Sequence, residues 1–176
     1  DMAAIGTQNR YAAPSRLLHW AIALLVLLTW PLGLMIGFAK KDVVLDFYLL
    51  HESIGFLVLW LMLIRVGNRW LNRPPRHEAP PLERYAAEAV HGLLYLFLIL
   101  MPVSGFLATN AHGFPLKWFG IVEVWSPIGK SPDIAPVFSA VHEWSAWILL
   151  GLFAVHFGAV LVHHVIRKDD TLYRII

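Results

Sequence analysis

One stretch of the sequence decides how the chain folds: HEWSAWILLGLFAVHFGAVLVHH, at residues 142–164. From Trp144 onward the stretch contains no Asp, Glu, Lys or Arg, and it exceeds the roughly 20 apolar residues that a helix needs to cross a bilayer. Two histidines, His142 and His156, lie in this apolar setting. Ionisable side chains are costly inside a membrane and usually serve a function there. The stretch therefore predicts both a membrane span and a functional site.

Three further stretches have a similar composition. Residues 17–39 and 89–116 contain no Asp, Glu, Lys or Arg, and residues 47–64 contain Glu52 but no other Asp, Glu, Lys or Arg. The sequence therefore predicts an all-α fold, a transmembrane four-helix bundle that forms a single membrane domain over residues 1–176. We expect the helices at roughly 16–39, 47–68, 84–110 and 138–166.

The overall composition agrees with this class. Hydrophobic residues make up 58% of the 176 residues, the mean hydropathy is +0.61, and charged residues are 15%, against about 25% in a typical soluble domain. The absence of cysteine excludes disulfides, thiolate zinc sites, cysteine-bound iron–sulfur clusters and covalent c-type haem. The net charge of +2 is too small to indicate nucleic acid as a partner, so membrane lipid is the expected environment.

The distribution of Lys and Arg predicts how the helices are oriented. With the N-terminus inside, the cytoplasmic side receives ten of the fourteen Lys and Arg residues, Arg73 and Arg76 among them. The opposite side receives four: Lys40, Lys41, Lys117 and Lys130. By the positive-inside rule, both termini are then cytoplasmic and the protein is a multi-pass protein of a bacterial inner (plasma) membrane.

The histidines fall into two layers of matching depth. His142 and His156 are fourteen residues apart, so they share one helix face and are separated by about 21 Å along its axis. His19 matches the cytoplasmic depth of His156, and His51 matches the periplasmic depth of His142. Paired neutral imidazoles in two layers suit two haem b groups, each with two axial histidines. We expect His19 and His156 on the iron of the cytoplasmic-side haem, and His51 and His142 on that of the periplasmic-side haem.

The fourteen-residue spacing recurs on the other helices, in the pairs His19–Gly33, His51–Arg65 and His91–Gly105. The two glycines present no side chain, so a macrocycle could approach the backbone there. The guanidinium of Arg65 suits a haem propionate. Arg16, which is one turn before His19, is a second propionate candidate.

His91 would be a third imidazole at the cytoplasmic depth, and its role is open. It is a candidate for binding a quinone together with Arg16 and Glu88, for holding a propionate, or for contacting a neighbouring helix. A quinone site on the periplasmic side near Trp118 is a further alternative. Both candidate quinone sites combine a few polar side chains with apolar helices, which is typical of sites for small organic molecules.

Several short motifs resemble the prokaryotic cytochrome b561 family. They are RLLHW at 16–20, HESIG at 51–55, VHGLLY at 90–95, HEWSAW at 142–147, VHFGAVLVHH at 155–164 and KDDTLYR at 168–174. The resemblance extends from about Tyr11 to Arg174. It implies a four-helix membrane cytochrome with two haems, held by the same two histidine pairs.

The resemblance also implies an activity. One type of family member oxidises periplasmic superoxide and passes the electrons to ubiquinone, and WFG at 118–120 is similar to its periplasmic loop. Lys117 and Lys130 would attract the superoxide anion by their charge. We therefore predict a superoxide:ubiquinone oxidoreductase. The alternative is an electron-transfer subunit that links a periplasmic dehydrogenase, or another periplasmic redox protein, to quinone. A histidine-lined metal transporter fits less well, because the central helix positions carry no acidic groups.

Overall fold

The computed structural model describes residues 10–72 and 79–176, so Arg73 and Arg76 lie outside the described residues. Its long helices are α1 (Ala13–Ile36), α2 (Val44–Leu71), α3 (Pro81–His112) and α4 (Ala135–Leu161), and α4 continues as a π-helical segment over Val162–Arg167. All four are long and apolar enough to cross a membrane. The described part of the chain is therefore built on the four predicted helices.

The helix boundaries differ from the predicted ones by a few residues. Each helix begins about three residues before its predicted start. In α1, α3 and α4 the additional first turn contains a proline near its start. Proline is tolerated there because the N–H that it lacks would have no partner in the first turn of a helix. α1 ends at Ile36 instead of residue 39. α3 ends two residues late, at His112, where Gly113 takes a left-handed conformation (φ 93°) and its N–H bonds the Asn110 carbonyl.

The loop between α3 and α4 contains a small ribbon that the sequence did not reveal. Strands β1 (Lys117–Trp118) and β2 (Val122–Glu123) pair antiparallel. Two-residue strands are too short to show an alternating pattern, so no signal could have predicted them. Ser53 of α2, which is fully buried, fastens the ribbon: its hydroxyl accepts the Phe119 N–H at 2.7 Å.

The helices pack in sequence order. α1 packs along α2, α3 packs along α4, and α2 contacts α3. A small core of Ile22, Val58 and Met62 lies between α1 and α2. Much of the outer surface is apolar and exposed. Examples are Leu24 in the middle of α1 and Ile64 near the end of the apolar part of α2. Such a surface suits lipid and would be unfavourable in water.

The C-terminal segment returns to the start of α1. The indole N–H of Trp20 donates to the Ile175 carbonyl at 3.0 Å, and Arg16 Nη1 donates to the Ile176 carbonyl at 2.8 Å. Further along, the Trp30 indole N–H donates to the Ala146 carbonyl at 3.3 Å. These contacts connect α1 to α4 and to the C-terminal segment that follows it.

A charged cluster fixes the turn after α4. Arg167 donates two hydrogen bonds of 2.8 Å to the Glu83 carboxylate of α3, and His163 Nδ1 lies 2.5 Å from Asp169. Burial by itself raises the pKa of the Asp169 carboxyl, but hydrogen bonds from His163 and Thr171 outweigh it and lower this pKa to about 2. Asp169 is therefore ionised at physiological pH and can hold the turn.

Candidate functional site

The first layer of the site is a pair of imidazoles from α2 and α4. The ring centroids of His51 and His142 are 5.9 Å apart, with their planes at 89°. Nδ1 of His51 lies 3.0 Å from the Thr29 carbonyl, and Nδ1 of His142 lies 2.8 Å from the Met101 carbonyl. A carbonyl oxygen can only accept, so each Nδ1 carries the proton and each Nε2 keeps a lone pair free for a metal.

Two glycines make room for these rings. A Cβ on Gly33 would lie 2.7 Å from Cε1 of His51, and a Cβ on Gly105 would lie 2.7 Å from Nδ1 of His142. Each glycine is one turn after the carbonyl that the same ring bonds, so a carbonyl and a glycine together form a cradle for one imidazole. The imidazole rings therefore pack on these two glycines, and the approach of a macrocycle to the backbone there stays a prediction.

The second layer contains three imidazoles, from α1, α3 and α4. The ring centroid of His156 is 6.3 Å from that of His19 and 5.4 Å from that of His91. The predicted pair His19 and His156 therefore lies together, with His91 against the same His156 ring. The role of His91 stays a prediction.

A guanidinium is fixed inside this second layer. Arg65 donates from Nε to the Tyr95 hydroxyl at 2.9 Å and from Nη1 to the Ser15 carbonyl at 3.1 Å. Its Nη2 lies 3.3 Å from Nδ1 of His19. Arg65 therefore reaches the layer of His19 and His156, as the fourteen-residue spacing requires. Its role as a propionate partner stays a prediction.

Arg16 lies next to the same layer, one turn before His19. Its Nη1 bonds the carbonyl of Ile176, whereas its Nε is buried and has no hydrogen-bond partner among residues 10–72 and 79–176. A buried N–H without a partner costs about 1–3 kcal/mol. An anion at this point, such as a propionate, would supply the missing acceptor.

The donor set fits haem better than a bare metal ion. Within the described residues, no group of three or more His, Asp or Glu side chains is arranged to hold a metal. A bare ion such as zinc takes three or four protein ligands, whereas haem iron needs only its axial ones. Imidazole nitrogens bind metals at about 2 Å, so two rings on one ion place their facing nitrogens about 4 Å apart and their centroids further. The centroid separations of 5.9 and 6.3 Å agree with this.

The two candidate steering lysines lie on separate segments. Lys117 is exposed on β1 and stands opposite Glu123 on β2, which offsets part of its charge. Lys130 is also exposed, but its aliphatic chain packs on Gly113 at the end of α3: its Cδ is 3.0 Å from where a Cβ of Gly113 would be. Their role towards superoxide stays a prediction.

Comparison with known proteins adds a second line of evidence to this geometry. The family model described as prokaryotic cytochrome b561 matches residues 10–176. The chain belongs to this family. It is therefore a bacterial integral membrane protein of an electron-transfer family that binds b-type haem.

Three relatives illustrate the range of the family. The chain is 35% identical to cytochrome b561 homolog 2 of Escherichia coli K12, over 99% of this chain and 95% of the relative. It is 31% identical to cytochrome b562 of Cereibacter sphaeroides, over 89% of each chain. It is 28% identical to the probable superoxide oxidase CybB of Yersinia pestis, over 89% of this chain and 90% of the relative.

Sequence reasoning missed the groups that orient the rings. The carbonyls of Thr29 and Met101 leave no trace in the sequence, because every residue has a carbonyl. Tyr95, which holds Arg65, lies one turn after His91 but has no distinguishing pattern. Only the glycines gave a signal, through their distance of fourteen residues from a histidine.

We predict that Gly33→Ala and Gly105→Ala each remove one haem from the purified protein. The added methyl group would overlap His51 or His142, and the ring could not keep both its carbonyl bond and its position. Haem per chain, measured by pyridine haemochrome, should fall by about half in each variant.

Gly67→Ala is the matched control, because nothing lies within 4 Å of a Cβ at that position. Alanine is the better helix former by up to about 1 kcal/mol, so this variant should keep its full haem content. Full haem content in the Gly33 and Gly105 variants would contradict the proposed cradles.

Proposed function

We propose that the chain is a superoxide:ubiquinone oxidoreductase of a bacterial inner membrane, with both termini cytoplasmic. The observation that carries the proposal is the presence of two imidazole clusters at two depths of one helical bundle. In the overall reaction, two superoxide anions each give up one electron and become O₂. One ubiquinone takes up the two electrons and two protons and becomes ubiquinol.

We assign His51 and His142 to the periplasmic-side haem, and His19 and His156 to the cytoplasmic-side haem. Each haem, when bound, supplies a centre that accepts and releases one electron. Because two histidines would hold each haem, the group would supply electron transfer and not oxygen binding there. The carbonyls of Thr29 and Met101 fix the orientation of the periplasmic rings.

We place the quinone on the cytoplasmic side, beside His91. This residue is exposed on α3 while its ring contacts His156, so a molecule from the lipid can reach it. A groove of about 290 Å³ begins one turn away and runs along α3; it is lined by Tyr95, Leu96, Ile99, Leu100 and Val103. An apolar groove open to lipid suits a prenyl tail.

The superoxide part of the proposal has a separate support. One relative carries the name probable superoxide oxidase, and the match to it covers most of both chains. The exposed lysines Lys117 and Lys130 lie on the loop between α3 and α4, which the proposed orientation puts on the periplasmic side. Their positive charge would raise the local concentration of a small anion.

The decisive experiment uses protein expressed with a haem supply and purified in detergent. We expect a reduced-minus-oxidised spectrum of two low-spin b-type haems per chain. With a superoxide source and a soluble ubiquinone, ubiquinol should form with one quinol for every two superoxide anions consumed. Two haems without superoxide-driven quinol would contradict this activity and favour an electron-transfer subunit for a periplasmic redox protein.

We predict that His91→Phe keeps both haems and slows quinone reduction at least tenfold, while reduction of the haems by superoxide stays unchanged. Phenylalanine fills the space against His156 but offers no nitrogen to the quinone. Stopped-flow spectra separate the two steps. His112→Phe, at the far end of α3, is the control; unchanged quinone kinetics in the His91 variant would exclude His91 from the site.

We predict that replacing Lys117 and Lys130 together by Gln slows haem reduction by superoxide more at low salt than at high salt. Salt screens attraction between exposed charges, with a Debye length of about 10 Å at 0.1 M. The rate should be measured across a series of ionic strengths, with Lys40→Gln as the control for net charge. An equal loss at all salt concentrations would contradict steering.

A further inference from the structure

The two imidazole layers differ in the charge of the groups that contact their rings. In the periplasmic layer, each Nδ1 meets a neutral carbonyl oxygen. In the cytoplasmic layer, Nδ1 of His19 meets the guanidinium of Arg65 at 3.3 Å. The guanidinium is held there by Tyr95 and Ser15, so it is a fixed part of the layer.

We propose that this difference sets the order of the two reduction potentials: Arg65 makes the cytoplasmic centre the stronger electron acceptor, and the carbonyl-bound imidazoles make the periplasmic centre the weaker one. The inference rests on the proposed assignment of one haem to each layer. It adds a tuning residue and a direction of electron flow to that assignment.

Electrostatics explains the effect of Arg65. Reduction adds one negative charge to a centre, and a nearby positive charge stabilises the reduced state. The interaction is strong because a membrane interior has a low dielectric constant. A guanidinium is always protonated in proteins, so its effect does not depend on pH.

The carbonyl bonds act in the opposite direction. A ring that donates its N–H to a carbonyl becomes a more basic ligand. A more basic ligand stabilises the oxidised, more positive iron. Both periplasmic rings make such a bond, at 3.0 Å and 2.8 Å, so both ligands would lower the potential of that centre.

The reach of Arg65 covers the whole cytoplasmic layer. Its Nη2 contacts His19, the His19 ring lies beside that of His156, and the His156 ring lies beside that of His91. The Nδ1 atoms of His51 and His142 contact neutral backbone carbonyls. Arg65 therefore places a fixed positive charge against one of the two layers.

The consequence is a preferred direction of transfer. With both haems bound, one electron would pass from the periplasmic centre, which would be oxidised, to the cytoplasmic centre, which would be reduced, and no bond would form or break. Because the cytoplasmic centre holds the electron more tightly, electrons collect on the side where His91 lies. This is the side on which we place the quinone.

The test is a spectroelectrochemical titration of the haem-loaded protein, which should show two one-electron steps. Arg65→Gln should lower the potential of the higher-potential step by at least about 59 mV, which is a tenfold change in the reduction equilibrium for one electron. The potential of the lower-potential step should not change. Arg65→Lys, which keeps the charge, should restore most of the difference. Arg84→Gln, the same change of charge at an exposed position two turns before His91, should shift the higher-potential step by much less.

Gly33→Ala assigns each step to a layer. This variant should lose the haem of His51 and His142, so the lower-potential step should disappear and the potential of the higher-potential step should not change. If Arg65→Gln loses haem, Tyr95→Phe provides the test. This variant removes the hydroxyl that accepts from Nε of Arg65, and it should lower the potential of the higher-potential step by a smaller amount. An unchanged higher step, or a shift of the lower step only, would overturn the inference. Fewer than two haems in the unmodified protein would contradict the proposed function itself.

Discussion

A buried imidazole needs a partner for each of its ring nitrogens, and this need organises the centre of the molecule. In the layer of His51 and His142, the backbone supplies one of the two partners: the carbonyls of Thr29 and Met101 accept hydrogen bonds from Nδ1. These bonds leave each Nε2 with a lone pair that is free to bind a metal. The helices must therefore approach closely enough for a ring of one helix to reach the backbone of the next, and glycine permits that approach.

The same construction occurs twice in the bundle. α1 cradles a ring from α2, and α3 cradles a ring from α4, in each case with a carbonyl followed one turn later by glycine. The sequence shows no internal repeat, because the shared features are a spacing and a backbone group. The layer of His19 and His156 lacks this symmetry: a third histidine and an arginine lie there, and the C-terminal segment contacts the start of α1.

The neutral and charged surroundings of the two layers give the fold a polarity. One carbonyl contacts each ring of one pair, and a guanidinium contacts His19 of the other pair, so the two layers differ in charge. The charge of Arg65 is tolerated in an apolar bundle because the Tyr95 hydroxyl and the Ser15 carbonyl accept hydrogen bonds from its guanidinium. Tyr95 also connects the charged layer to the apolar groove on α3, so the proposed electron and quinone sites share one side chain.

The sequence by itself determined the four long helices, the two depths of the histidines and the family. These features depend on composition and on spacing along one helix, and both are properties of a local stretch of chain. Only the tertiary structure decided which atoms hold the rings, that Gly33 and Gly105 face imidazoles, and that Arg16 bonds the C-terminal segment. Those contacts join residues far apart in the chain, and a backbone carbonyl or the rotation of a helix about its axis leaves no mark in the residue pattern. The physical reason is that spacing fixes the depth of a residue, whereas packing fixes what it meets there.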